Sequence, residues 1–192
     1  MKYRYDLHIH SALSPCAEEE MTPVTVVGQA ALSGLDFVAI ADHNAIGHVP
    51  LALRAGEEFG VAVVPAVEVQ TREDIHLLCL FRTYDDLEKF FARIPVSERR
   101  NRADLFGEQL YFDEDDNIVG REERMLLDSA AITCEEVRRL AFEAGGAACR
   151  RSILRWSFRR ERRRRSWRSG ERGGSCSWTA THTPWTRCPT SG

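Results

Sequence analysis

The stretch YDLHIHSALSPCA, residues 5–17, decides the reading of this chain, together with AIADHNAIG at 39–47 and VVPAVEVQTREDIHLLCLF at 63–81. Tyr3–Ile9 reads as a short strand. Tyr3, Tyr5, Leu7 and Ile9 would share one face, and Arg4, Asp6, His8 and His10 the other, because side chains two apart in a strand point the same way. His8 and His10 flank Ile9 and would aim two imidazoles at one point. An isolated His-x-His is as often a chance surface pair, so the surrounding elements have to decide its meaning.

They follow a β-then-α pattern. Thr22-Pro23 is an N-cap with proline at the first helical position, and the helix is expected to run to Ser33 and stop at Gly34. Asp36–Ala41 is an apolar run fit for a buried strand. Pro50–Phe59 reads as a helix ended by Gly60, Val61–Val69 as a third strand, Ile75–Phe81 as a fourth, and 85–93 as helical. Residues 95–128 are charged and weakly periodic. They read as an insertion or lid, with Asp113–Asp116 a solvated turn. Thr133–Glu136 is a capping box that opens a helix closing at Gly145-Gly146. Repeated β/α units imply a parallel sheet with helices outside and a site at the carboxyl ends of the strands.

Each of the four strands then offers a ligand type at one rim. Asp42-His43 ends the second strand. Glu68 lies in an otherwise apolar run, where an isolated charge is costly without a partner. His76 stands alone among apolar residues in the fourth. A shared metal centre explains the set better than four unrelated structural residues do.

In these three motifs, in this order, the chain resembles the polymerase and histidinol phosphatase (PHP) family. The resemblance covers residues 5–148. It implies an α/β fold, a distorted (β/α)7 barrel of the PHP type. It also implies a metal-dependent phosphoesterase acting on a small phosphomonoester or nucleotide, with two or three divalent metal ions (Mn, Zn, Fe or Mg). By this resemblance His8, His10, His43, Glu68 and His76 are metal ligands, with Glu68 bridging. Cys16 stands where the family often carries a further ligand; a thiolate donor and a small buried cysteine are equally open. Glu68, His43 and Asp42 are the candidate catalytic residues, Asp42 by orienting an imidazole. Arg72 either clamps a substrate phosphate or pairs with Glu73 or Asp74. His48, after Gly47, reads as a surface or helix-entry residue.

Composition divides the chain. Residues 1–148 carry 14 basic and 27 acidic residues; residues 149–192 carry 12 and 2, and hold all four tryptophans. Residues 1–148 are therefore expected to form a PHP-like domain, incomplete because three further family ligands are not found. Residues 149–192 are expected to be a disordered tail translated out of frame: shifted by one base, Trp178–Gly192 permits Asp-Ser/Gly-Asp-Ala-His, the family's closing motif. Two alternatives follow, an inactive product that binds metal weakly and a nucleic-acid-associated protein using the basic tail. No apolar run approaches membrane-spanning length and no secretory leader opens the chain. The six scattered cysteines show no disulfide framework. A cytoplasmic protein with a small phosphorylated substrate and no membrane or nucleic-acid partner is expected.

Overall fold

The computed structural model describes residues 2–150. The expectations for the tail lie outside them except at Cys149 and Arg150, which are not disordered but pair in a strand with Leu78 and Leu77. In chain order the elements are β1 (Tyr5–Ile9), α1 (Pro23–Leu32), β2 (Phe37–Ile40), α2 (Val49–Phe59), β3 (Ala62–Val63), β4 (Ala66–Gln70) and β5 (His76–Leu80). They continue with α3 (Tyr84–Phe91), α4 (Ala103–Phe106), β6 (Leu110–Phe112), β7 (Ile118–Arg121), α5 (Cys134–Glu143) and β8 (Ala147–Arg150). Local signals hold where local chemistry decides. The Thr22 hydroxyl accepts from the Thr25 amide, and Gly34 and Gly60 take the left-handed conformation after their helices. Thr133 and Glu136 form both halves of the capping box. Asp113 closes the turn of the β6–β7 hairpin, accepting from the Asp115 and Asn117 amides.

The strands form two three-stranded sheets, β1-β2-β3 and β4-β5-β8, plus the hairpin, so the fold is mixed α/β and no closed barrel forms among the described residues. The first sheet is parallel. The second is antiparallel, which corrects the all-parallel expectation. The reason is connection length. Five residues, Thr71–Ile75, join β4 to β5, and a parallel crossover needs a dozen or more. The expected single strand Val61–Val69 is broken at Val64-Pro65. Proline has no amide hydrogen to give a ladder, and its carbonyl accepts from the Phe81 amide instead. Pairing with the end of β2 nonetheless resumes beyond the break. The Glu68 amide donates to the Asp42 carbonyl, and the Asn44 amide to the Glu68 carbonyl. That bridge joins the two sheets at one point.

A further correction concerns β1. Its register with β2 shifts between Asp6 and Ile9. Leu7 therefore packs with Ala39, Ala41, Ala66 and Leu78, while Ile9 packs on the opposite side with Val26, Val27, Val38 and Ile40 beneath α1 and α2. Such an irregularity re-aims side chains, so the simple alternation fails. The second sheet buries Val67, Val69, Leu77 and Cys79 against α3 and α5 through Leu87, Phe90, Val137 and Leu140. Among the described residues no helix is long and apolar enough to cross a membrane.

Candidate metal centre

Four imidazoles, from β1, β5 and the turns that follow β1 and β2, converge on Glu68 of β4. His8 Nε2 lies 3.2 Å from Glu68 Oε1. His10 Nε2 and His43 Nδ1 each lie 3.2 Å from Oε2, and His76 Nδ1 lies 3.4 Å from it. His8 and His10 bring their Nε2 atoms within 3.1 Å of each other. His76 reaches the cluster because β5 runs backwards. It is the first residue of its strand and pairs with Gln70, at the rim where β4 ends. In a parallel sheet it would sit at the other end.

These distances resemble hydrogen bonds, but Glu68 is fully buried and neither of its oxygens makes one; His76 Nδ1 makes none either. What holds the carboxylate among protein atoms is charge, from imidazoles at 3.2–3.4 Å, and not hydrogen-bond geometry. The spacing has another meaning. Two donors about 2.0–2.1 Å from one tetrahedral ion stand about 3.3 Å apart. The observed 3.2–3.4 Å fits that edge length. Three overlapping groups have this compactness: His8, His10 and Glu68; His43, Glu68 and His76; and His10, Cys16 and His43. The donors are imidazole, carboxylate and thiol, the set that borderline divalent metals take. The residues therefore fit a metal site on the structure's own terms.

Electrostatics agree. Burial alone would disfavour charge on both partners. Cys16, and after it the carboxylate, outweigh it at His10 and raise that imidazole to about 9. The imidazoles of His10, His8 and His43 outweigh it at Glu68 and hold the acid far below the ordinary range. Cys16 is exposed, with its Sγ 3.0 Å from His10 Nδ1.

Asp42 does something other than expected. It is buried and meets hydroxyls, not an imidazole. Its Oδ1 accepts from the Ser11 amide at 2.7 Å and from Ser14 Oγ at 2.7 Å, and its Oδ2 accepts from Ser11 Oγ at 2.6 Å. Ser14 Oγ in turn accepts from the His43 amide. His48 is the clearest miss. Read as a surface residue, it is 1 % exposed and lies 2.7 Å from Ser11 Oγ. Serine, histidine and aspartate in contact suggest a nucleophilic triad, but Ser11 is fully buried and stands between the other two. No local signal marks it in the sequence: Ser11 and His48 meet across 37 positions. Arg72 is not among the cluster residues. It lines an open depression with Thr133, Glu135, Glu136 and Arg139.

No protein-family model matches the chain. A 5'-3' exoribonuclease of Haemophilus influenzae is 31% identical over 116 residues, 57% of this chain and 40% of that protein. A solved lesion-specific endonuclease of Pyrococcus furiosus matches with a TM-score of 0.52 and 21% identity, over 78% of this chain and 34% of its own; it shows a shared fold. A chain from Bifidobacterium adolescentis, described as a metal-dependent phosphoesterase, is 32% identical over 48% of this chain and 33% of its own, and its TM-score of 0.39 bears no weight for the fold. The chain thus spans between a third and two fifths of the proteins it resembles.

Proposed function

We propose that residues 5–148 carry a metal-dependent phosphoesterase centre of the PHP type. The buried, unbonded carboxylate of Glu68 inside a ring of four imidazoles carries the reading. His8, His10 and Glu68 would hold one divalent ion, and Glu68, His43 and His76 a second, with Glu68 common to both groups. Cys16 offers a third group its sulfur. Bound there, divalent cations neutralise phosphate oxygens and lower the pKa of water, the chemistry of phosphoester hydrolysis. The protein's own share is positional. Glu68 sets the spacing of the donors, and Asp42 fixes the turns before Ser11 and His43 through its three hydrogen bonds. A barrel of seven strands would extend the two sheets described above.

The substrate class we favour is a small phosphomonoester or nucleotide. In segment 95–128 Arg99, Arg100, Arg102, Arg121 and Arg124 are each paired with a carboxylate, which leaves little cationic track for a long nucleic acid. The relative from Haemophilus influenzae favours a second reading, a short RNA. The full chain should be loaded with manganese or zinc and offered p-nitrophenyl phosphate, its bis-ester and a 5'-phosphorylated oligoribonucleotide. Chelator-sensitive release from the first supports the main reading; release from the RNA alone supports the second. No release from any of them, with metal bound, removes the phosphoesterase reading.

A further inference from the structure

We infer that His48 is a positioning residue, held as the neutral Nδ1–H tautomer, that couples segment 95–128 to the two turns carrying His10 and His43. The inference rests on the metal-centre reading given above. Its basis is a chain of hydrogen bonds whose direction has one solution.

The ends of the chain fix that direction. At one end the Phe112 amide, at the edge of the β6–β7 hairpin, can only donate, and it meets His48 Nε2 at 3.2 Å. That nitrogen must therefore be unprotonated. At the other end the Asp42 carboxylate can only accept, and Ser11 Oγ lies 2.6 Å from it. The single hydroxyl proton of Ser11 therefore points at Asp42. The remaining contact, His48 Nδ1 to Ser11 Oγ at 2.7 Å, is left with one donor, the Nδ1–H. Ser11 Oγ also receives the Leu13 amide, so its acceptor capacity is filled. A charged His48 would turn two donors, its own Nε2–H and the Phe112 N–H, on each other. Burial pushes this imidazole below its ordinary value, against the pull of Asp42, in keeping with the neutral form.

What the chain connects gives it a role. Ser11 follows His10 and Asp42 precedes His43, so the relay ends on the neighbours of two cluster donors. Ser14 locks the same joint a second time, between Asp42 and the His43 amide. Segment 95–128 is anchored at this joint by independent bonds. The Leu110 amide donates to the Ala12 carbonyl at 3.1 Å, and the Asn44 side chain donates to the carbonyls of Leu126 and Asp128, each at 2.9 Å. A segment expected to be an insertion or lid thus works as a buttress. Groups that orient metal ligands without touching the ion typically affect affinity 10–100-fold.

Nitrogen NMR on the metal-free full chain reads the tautomer directly: His48 should show a protonated Nδ1 and a bare Nε2 between pH 6 and 8. Zinc affinity, measured against a chromophoric chelator, should fall about 10–100-fold in His48→Leu. His48→Asn, which keeps a donor toward Ser11, should recover part of that loss. Leu140→Ala, in the core under α5, should lower Tm to a similar degree and leave zinc affinity within twofold of wild type. A protonated Nε2, or a His48→Leu affinity within twofold of wild type, overturns the inference. If His48→Leu does not fold, an affinity of His48→Asn equal to wild type together with a protonated Nε2 does the same. A wild-type chain that binds no zinc removes the metal-centre reading and this role with it, a result distinguishable because it needs no variant.

Discussion

Asp42 and His43 are sequence neighbours, yet they belong to two buried polar clusters of opposite character. Around Asp42 every group is satisfied: Ser11, Ser14, His48 and the Phe112 amide each give or take a proton at 2.6–3.2 Å. Around Glu68 four imidazoles approach only to 3.2–3.4 Å, and both carboxylate oxygens remain without a hydrogen bond. Fully satisfied networks rigidify a fold, whereas a half-satisfied one is costly by itself. The first cluster is complete with protein atoms alone. The second rests on positive charge beside the carboxylate, which the His10 imidazolium supplies in the metal-free protein and a divalent ion would supply in its place. Proximity of polar groups therefore does not by itself mark the candidate metal centre; the absence of hydrogen bonds to its carboxylate does.

Glu68→Gln should give the largest effect. It removes the one carboxylate that both ion groups share, and metal affinity should fall by at least about 100-fold in chelator competition. At pH 9, where the stabilising contribution of His10 is spent, the metal-free protein should change in stability by about 1 kcal/mol or less in urea, since a neutral amide there replaces a buried carboxylate. Affinity within a few-fold of wild type would erase the distinction between the clusters.

Asp42→Asn should behave the opposite way. It turns an acceptor of three donors into a group that must itself donate, inside a saturated network. Unfolding free energy should drop by about 2–4 kcal/mol, with or without metal. A loss confined to the metal-loaded form would place Asp42 in the other cluster.

The two clusters should also respond to pH with opposite sign. In the metal-free protein His10 is raised from 6.5 to about 9. Its stabilising contribution is complete below 6.5 and is lost as pH climbs from there to about 9, a fall of about 3 kcal/mol. His48 is lowered, so its contribution is complete above 6.5 and is lost as pH falls through its folded value. Stability should therefore peak near neutrality. Glu68→Gln should flatten the alkaline limb and His48→Asn the acid limb. Urea midpoints across pH 5–9 check this, and a single variant abolishing both limbs would merge the clusters.

Cys16→Ser should be the smallest change. The thiol is exposed, so Tm should move by about 2 °C or less. If its sulfur reaches an ion, preference for zinc over manganese should drop by several-fold. An unchanged ratio would confine Cys16 to its contact with His10.

The sequence made the donors of the second cluster legible because each stands out locally. His8 and His10 flank one residue, and Glu68 and His76 interrupt apolar runs. The first cluster was not legible in the same way. His48 meets Phe112 across 64 positions, and no periodicity reports such a pairing. The antiparallel β5 could have been read from the five-residue link before it, and with it the reason His76 stands at the same rim as Glu68. The shift inside β1 had no local signal. Neither proline nor glycine marks Asp6–Ile9, and the register is set by what β2 and the two helices can bury.

Metal content of the full chain tests the central claim most directly. Wild type and Glu68→Gln should be stripped with chelator, loaded with zinc or manganese, passed through a desalting column and assayed by elemental analysis. The account predicts at least one ion retained per wild-type chain and close to none in Glu68→Gln, with the two proteins equally folded by circular dichroism. Equal metal in both, or none in the wild type, would contradict it.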